Sequence, residues 1–248
     1  MTIRFAAMGL AAAVLFGAAQ ADAAVKTIVL VHGAFADGSG WKPVADILEH
    51  DGYTVRIVLE PETSLADDAA ATKRVLDSAG PSILVGHSYG GAVISEAGDH
   101  PNVKALVYLA AFMPDVGESA AQLVGKIPAA AAKSIEPEGP GYFIVNIDKY
   151  PADFAGDLPK DEAHFMAISQ VPVGVGSFAG KATVAAWKDK PVYYVVSKND
   201  RMINPDVERF MAKRAKAQTI ELPSSHVVMQ SHPKEVAAFI EKAAMAAK

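Results

Sequence analysis

Short apolar runs alternate with helix-compatible stretches over most of this chain. Thr27-Ile28-Val29-Leu30-Val31 is a continuous, β-branched run of strand length, the pattern of a strand buried on both faces. Residues 53–59, 82–85, 103–109, 192–196 and 219–222 are further strand candidates. Between these runs the pattern predicts helices over residues 41–50, 64–79, 90–99, 204–215 and 233–247. Two of them carry start signals. Ser64-Leu65-Ala66-Asp67 has capping-box spacing. Asn204 stands ahead of Pro205, a capping side chain followed by proline at the first helical position. Strands alternating with helices predict an α/β architecture, a mostly parallel sheet covered on both faces. Between about residues 112 and 182 the alternation breaks down into Pro, Gly, Ala-rich and aromatic patches. A long insertion between two strands of a compact domain is usually functional, and a helical cap over the strand ends is expected here.

The N-terminus follows a different rule. Arg4 precedes an apolar stretch over residues 5–19, and Ala19-Gln20-Ala21 and Ala21-Asp22-Ala23 both have the small-residue cleavage pattern. Residues 1–23 therefore read as a secretory signal peptide cut near Ala23, too short and too Ala-rich for a comfortable membrane span. The expected mature chain is one domain, exported to a periplasm or to the medium.

Composition narrows the function. The chain has 248 residues, 51% hydrophobic and 21% charged, enough for a single sizeable core. The net charge of −5 and the lack of a long basic block disfavour a nucleic-acid partner. With no cysteine, a disulfide framework and a thiol nucleophile are excluded. No H-x-x-x-H, H-E-x-x-H, G-x-G-x-x-G after a strand or G-x-x-x-x-G-K-[ST] occurs, so neither a metal nor a nucleotide or organic cofactor is expected.

The strongest chemical signal is Gly86-His87-Ser88-Tyr89-Gly90, which follows the apolar run at 82–85 and precedes a helix-compatible segment. Strand, sharp turn and helix are the context of a nucleophile elbow, in which Ser88 is lifted clear of the sheet. Flanking glycines let strand and helix approach. A serine hydroxyl needs a base, and imidazole is the side chain with an ordinary pKa near neutrality. Of seven histidines, His226 in Leu222-Pro223-Ser224-Ser225-His226 is best placed, in the loop after the last expected strand. Functional loops of an open α/β sheet lie at the carboxyl ends of strands, where Ser88 also sits. Asp200, after the run at 192–196, completes the order Ser, Asp, His. Asp115 is the alternative acid, and Asp206 is accounted for by a helix first turn. The backbone N–H groups of Tyr89 and Ala34 are the candidate oxyanion donors, with Phe35 as the alternative to Ala34. Phe35, Trp41, Phe112, Met113, Phe143, Phe165, Met166 and Phe178 are candidates to line an apolar acyl or alcohol pocket.

Taken together, Val31-His32-Gly33-Ala34-Phe35, Gly40-Trp41, Gly86-His87-Ser88-Tyr89-Gly90-Gly91, Ser197-Lys198-Asn199-Asp200 and Ser224-Ser225-His226 resemble the α/β-hydrolase superfamily from about Lys26 to the C-terminus. Within it, the chain looks most like the small esterases related to plant methyl esterases and hydroxynitrile lyases, and like bacterial esterases of that subgroup. The resemblance implies hydrolysis of a small-molecule carboxylic ester, with Ser88 as nucleophile, His226 as base, Asp200 as orienting acid, and oxyanion donors on Ala34 and Tyr89. Lyases of the subgroup carry lysine after the histidine and threonine in the oxyanion loop; here those positions are Val227 and Gly33. Dehalogenases of the fold use aspartate at the elbow. A lyase, a cofactor-free perhydrolase and a ligand-binding protein on the same scaffold are the competing expectations. The run at 27–31 corresponds to the third strand of the family.

Overall fold

The computed structural model describes residues 25–247, and the expected signal peptide lies outside them. The first half of the chain runs β1 (Thr27–Val31), α1 (Lys42–His50), β2 (Thr54–Val58), α2 (Leu65–Ala79), β3 (Ser82–His87), α3 (Gly90–Ala97) and β4 (Val103–Leu109). Then come α4 (Ala120–Val124), β5 (Ile135–Pro137), β6 (Tyr142–Val145), α5 (Tyr150–Asp153), α6 (Lys160–Ser169), β7 (Val173–Gly174) and α7 (Val175–Ala179). The chain closes with β8 (Val192–Ser197), α8 (Pro205–Arg214), β9 (Gln218–Leu222), α9 (Val228–Ser231) and α10 (Pro233–Ala246). No helix among the described residues is long and apolar enough to cross a membrane.

The main sheet has the order β2-β1-β3-β4-β8-β9, and every pairing in it is parallel. Burial explains the sequence pattern. All of β3 and β8 is buried, and only the first residue of β1 and Lys104 of β4 are partly exposed. This is why they read as unbroken apolar runs. The edge strands β2 and β9 are largely open to solvent and carry Arg56, Gln218 and Glu221. Helices α1 and α10 pack together, as do α2 and α3, and α10 and α3 both reach β3. From β1 the chain steps outward to β2. It then returns to β3 on the other side of β1 and continues to β4. The switch in direction lies between β1 and β3, where open α/β sheets place their ligands.

Local chemistry sets the helix ends. Ser64 caps α2 by accepting from the Asp67 N–H at 3.1 Å. The return bond goes from Ser64 Oγ to the Asp67 carboxylate at 2.7 Å, so the predicted capping box is half formed. Asn204 caps α8, which has Asp206 and Glu208 in its first turn and Lys213 and Arg214 in its last, matching the helix dipole.

The segment between β4 and β8 departs from the expected helical cap. It holds short helices and also an antiparallel sheet, β5-β6-β7, with Pro137 opposite Phe143 and Phe143 opposite Val173. The aromatic and branched run Tyr142-Phe143-Ile144-Val145 favours a strand. Gly139 and Gly141, at φ +73° and +79°, make the turn that returns it to β5. This small sheet is tied to the body by the Gly174 N–H, which donates to the Glu62 carbonyl at 2.7 Å.

Candidate active site

Ser88 occupies the turn between β3 and α3 at φ +52°, left-handed backbone that costs a non-glycine residue free energy. The surroundings hold it there. Its carbonyl accepts from the N–H groups of Gly91 at 3.0 Å and Phe112 at 2.9 Å, and its own N–H donates to Leu109 at 3.2 Å. The turn also requires its glycines. A Cβ on Gly90 would run into the His32 carbonyl oxygen, one on Gly91 into that of Phe112, and one on Gly33 would lie 2.6 Å from Ser88 Cβ.

The loops after β8 and β9 bring Asp200 and His226 to the same end of the sheet. His226 Nε2 lies 2.8 Å from Ser88 Oγ, and His226 Nδ1 lies 2.6 Å from Asp200 Oδ2. The other Asp200 oxygen accepts from the N–H groups of Met202 at 2.7 Å and Ile203 at 3.0 Å. With a carboxylate at Nδ1, the neutral ring carries its proton there and offers a lone pair at Nε2 to Ser88. Asp115, the alternative acid, is elsewhere, ion-paired with Lys188. Glu208 of α8 is buried under this array and accepts from the Ser197 N–H at 3.0 Å. Burial, and then the Asp200 charge, push its carboxyl far up.

Two supports were missed by sequence reasoning. His87, inside the elbow motif, is fully buried and kept neutral first by burial and then by the neighbouring His226 ring. Its Nε2–H donates to the His226 carbonyl at 2.9 Å, pinning the loop that carries the base. Asp157 accepts from the Ser225 N–H at 2.8 Å and from the Ser225 hydroxyl, tying the same loop to the insertion. Nothing local marks either residue, because both act across more than 65 positions of sequence.

The N–H groups of Ala34 and Tyr89 belong to buried residues and have no hydrogen-bond partner among the described residues. Buried amide groups are rarely left unpaired, so this pair is available to an incoming oxyanion. The alternative donor, Phe35, is turned the other way. Its φ is +62°, its carbonyl accepts from Tyr150 OH at 3.0 Å, and its N–H faces Glu62 closely enough to lower that carboxyl.

Glu62 belongs to a buried acidic cluster with no signal in the sequence. His32, Glu60 and Glu62 come together with donor atoms within 4.8 Å of one another, a spacing open to a divalent ion. The hydrogen bonding of His32 does not fit that use. Its Nε2 accepts from the Glu60 N–H at 3.2 Å. The ring proton is therefore on Nδ1, which faces the Gly33 carbonyl at 3.0 Å and Glu62 at 3.5 Å. A metal needs a free imidazole lone pair, and neither nitrogen has one to offer. The cluster instead holds protons. Burial drives Glu60 far up and Glu62 up to about 7, the latter against the opposing pull of His32. Burial alone would lower His32, but Glu62 outweighs it and the ring is raised.

These shifts predict a pH-dependent stability. From Glu62's ordinary value of 4.5 up to about 7, the folded state binds more protons than the unfolded chain. Stability therefore falls as pH rises through that window, by up to about 3 kcal/mol from Glu62 alone. Calorimetry is expected to give a higher melting temperature near about pH 5.5 than near about pH 8, and a smaller difference in Glu62→Gln. An equal difference in that variant counts against the assignment.

Above Ser88 and His226 lies a chamber of about 110 Å³. Phe35 and Phe112 line it as the sequence suggested, together with Phe178. Phe154, Met202, Ile203, Ile135 and residues from the alanine run at 129–132 complete it, and the sequence did not single these out. Four other candidates lie outside this chamber. Trp41 is wholly buried beside the start of α1, and Met113 is buried in the core, its N–H on the Met211 sulfur at 3.1 Å. Phe165 and Met166 line a separate cleft with Tyr150 and Gln230, and Phe165 is 64% exposed. Helix α6 carries both residues, and apolar character alone could not reveal which cavity they line.

Comparison with known proteins agrees with this architecture. The chain is 31% identical over 244 residues to the pyrethroid hydrolase of Sphingobium wenxiniae, covering 86% of this chain and 85% of that protein. It is 26% identical over 246 residues to Methylesterase 7 of Arabidopsis thaliana, covering 87% and 95%. The crystal structure of a pyrethroid hydrolase from Sphingobium faniae JZ-2 shares the fold, with a TM-score of 0.76 at 24% identity over 88% of this chain and 97% of that one. The alpha/beta hydrolase family pattern matches residues 28–239, and with most of the described chain inside that match, the protein belongs to the alpha/beta hydrolase family.

Proposed function

We propose that this protein is a serine esterase that cleaves an uncharged carboxylic ester through an acyl-enzyme. The observation that carries the reading is the continuous relay from Ser88 Oγ to His226 Nε2 at 2.8 Å and from His226 Nδ1 to Asp200 at 2.6 Å. In the first step Ser88 Oγ attacks the ester carbonyl while its proton passes to His226 Nε2. The N–H groups of Ala34 and Tyr89 take the negative charge that develops on the carbonyl oxygen. His226 then returns the proton to the departing alkoxide, leaving the acyl group on Ser88. Water enters and attacks the acyl carbon while giving a proton to His226; the bond to Ser88 Oγ then breaks, His226 returns the proton to that oxygen, and the acid leaves. Asp200 keeps the imidazole in the required tautomer and stabilises the imidazolium.

The apolar chamber supports an uncharged substrate, and the names of the relatives, a pyrethroid hydrolase and a methylesterase, support an ester. Val227, beside His226, is buried and uncharged, so the position offers no cation for cyanohydrin cleavage. Export after removal of residues 1–23 is part of the same proposal. The test is hydrolysis of p-nitrophenyl acetate by the purified protein, with labelling of Ser88 by a fluorophosphonate. Turnover and labelling are both expected. A folded protein that shows neither is a binding protein, and the reading fails.

A further inference from the structure

The wall of the chamber above Ser88 has a second cavity against its other side. Beyond Phe35, Ile135 and Phe178 lies a second chamber of about 180 Å³, which those same three residues also line. Its remaining walls are Phe143 of β6, Val173 and Gly174 of β7 and Val175 of α7, all apolar or glycine. One side is thus built from the small antiparallel sheet. Phe178 stacks on Phe35 with ring centroids 6.2 Å apart and on Tyr89 at 5.5 Å, which fixes the constriction between the chambers. At the outer end Val175 is 55% exposed, so the second chamber opens to solvent.

Size and chemistry decide what this space can take. The first chamber, about 110 Å³, is well below the roughly 300 Å³ at which ligand pockets begin, and the two together approach that bound. Neither chamber is lined by a charged side chain, apart from His226 if it is protonated, so a charged or strongly polar arm would lose its hydration without compensation. We propose that the second chamber binds an extended apolar arm of the ester, an unbranched alkyl chain of about eight or more carbons or an aryl group of similar length, threaded past Phe35, Ile135 and Phe178. This rests on the esterase reading for the position of the ester group at Ser88. It adds the substrate class, a lipophilic ester whose length exceeds the catalytic chamber.

The test compares kcat/KM for p-nitrophenyl acetate and p-nitrophenyl octanoate in the wild type and in Val175→Trp, which fills the second chamber from its exposed rim. Each methylene removed from water favours the longer ester by up to about fourfold. The wild type is expected to prefer octanoate by at least about tenfold, and the variant to lose most of that ratio. Circular dichroism and melting temperature confirm that the variant is folded, and Val175→Ala, which enlarges the space, is expected to keep or raise the ratio. A second arm is independent of turnover: calorimetric titration with decan-1-ol, with affinity expected to fall at least about tenfold in Val175→Trp. A wild type that favours acetate, or a ratio and an alcohol affinity unchanged in the variant, overturns the proposal. If no ester is hydrolysed but decan-1-ol binding still depends on Val175, the esterase reading fails and the apolar site stands. If neither is seen, both fall.

Discussion

Ser88→Ala is expected to lower kcat for p-nitrophenyl acetate by about 10⁴- to 10⁶-fold while leaving the fold intact. The variant loses the only hydroxyl among the described residues within hydrogen-bonding reach of His226 Nε2. What remains is a water held near the base and two N–H groups awaiting an oxyanion, and such remnants sustain only slow hydrolysis. The structural cost is small. Alanine meets the same backbone restriction as serine at φ +52°, and the carbonyl and N–H bonds that hold residue 88 in the turn are unaffected. The melting temperature is therefore expected to shift by no more than about 4 °C, the value of one hydrogen bond. Stopped-flow or prolonged steady-state assays on the two proteins, with calorimetry alongside, check both halves. A variant retaining more than about one per cent of the activity would remove Ser88 from the reaction.

Asp200→Asn is expected to lower kcat by about 10⁴-fold, and the contacts of this carboxylate explain the route. One oxygen accepts two N–H bonds, from Met202 and Ile203, so the asparagine carbonyl is drawn to that side. Its NH₂ group is then left facing His226 Nδ1. The ring must accept there, which moves its proton to Nε2, where it can no longer receive one from Ser88. The reverse amide orientation would set an NH₂ group against two N–H donors. Substitution therefore changes the tautomer without moving the ring, and the loss is expected in kcat, with KM changing little. Activity within about tenfold of wild type would show that Asp200 does not set the tautomer.

The elbow and the two residues proposed as base and acid were legible because each signal is local. An apolar run followed by Gly-x-Ser-x-Gly reports its own strand and turn. His226 and Asp200 each follow a strand-length run, and a parallel sheet carries all such loops to one edge. The choice between Ala34 and Phe35 as oxyanion donor was not legible. It depends on the turn at Phe35, whose φ is +62° and whose carbonyl accepts from Tyr150 OH, 115 positions away. The pocket was legible only in part, because Phe35 and Phe112 sit on loops whose exits the sheet determines, whereas Phe165 and Met166 sit on a helix of uncertain facing. Short strands such as β5 and β7, of three and two residues, carry too little pattern to separate from loop.

Glu60-Pro61-Glu62 shows where sequence reasoning stops. The two glutamates flank a proline just after an edge strand, yet both are buried and their four oxygens have no hydrogen-bond partner among the described residues. Composition sees the charge, while burial and protonation follow from packing against His32 and Asp68. By itself, then, the sequence determined the alternation that makes a parallel sheet, the strained turn at Ser88 and the placing of Ser88, Asp200 and His226 after successive strands, since all of these arise from contacts between near neighbours and from one general rule about strand ends. The tertiary structure decided which aromatic rings wall the chamber above Ser88 and which acids are buried. Those outcomes depend on side chains far apart in sequence competing for the same space and the same hydrogen bonds, and only the packed chain resolves that competition.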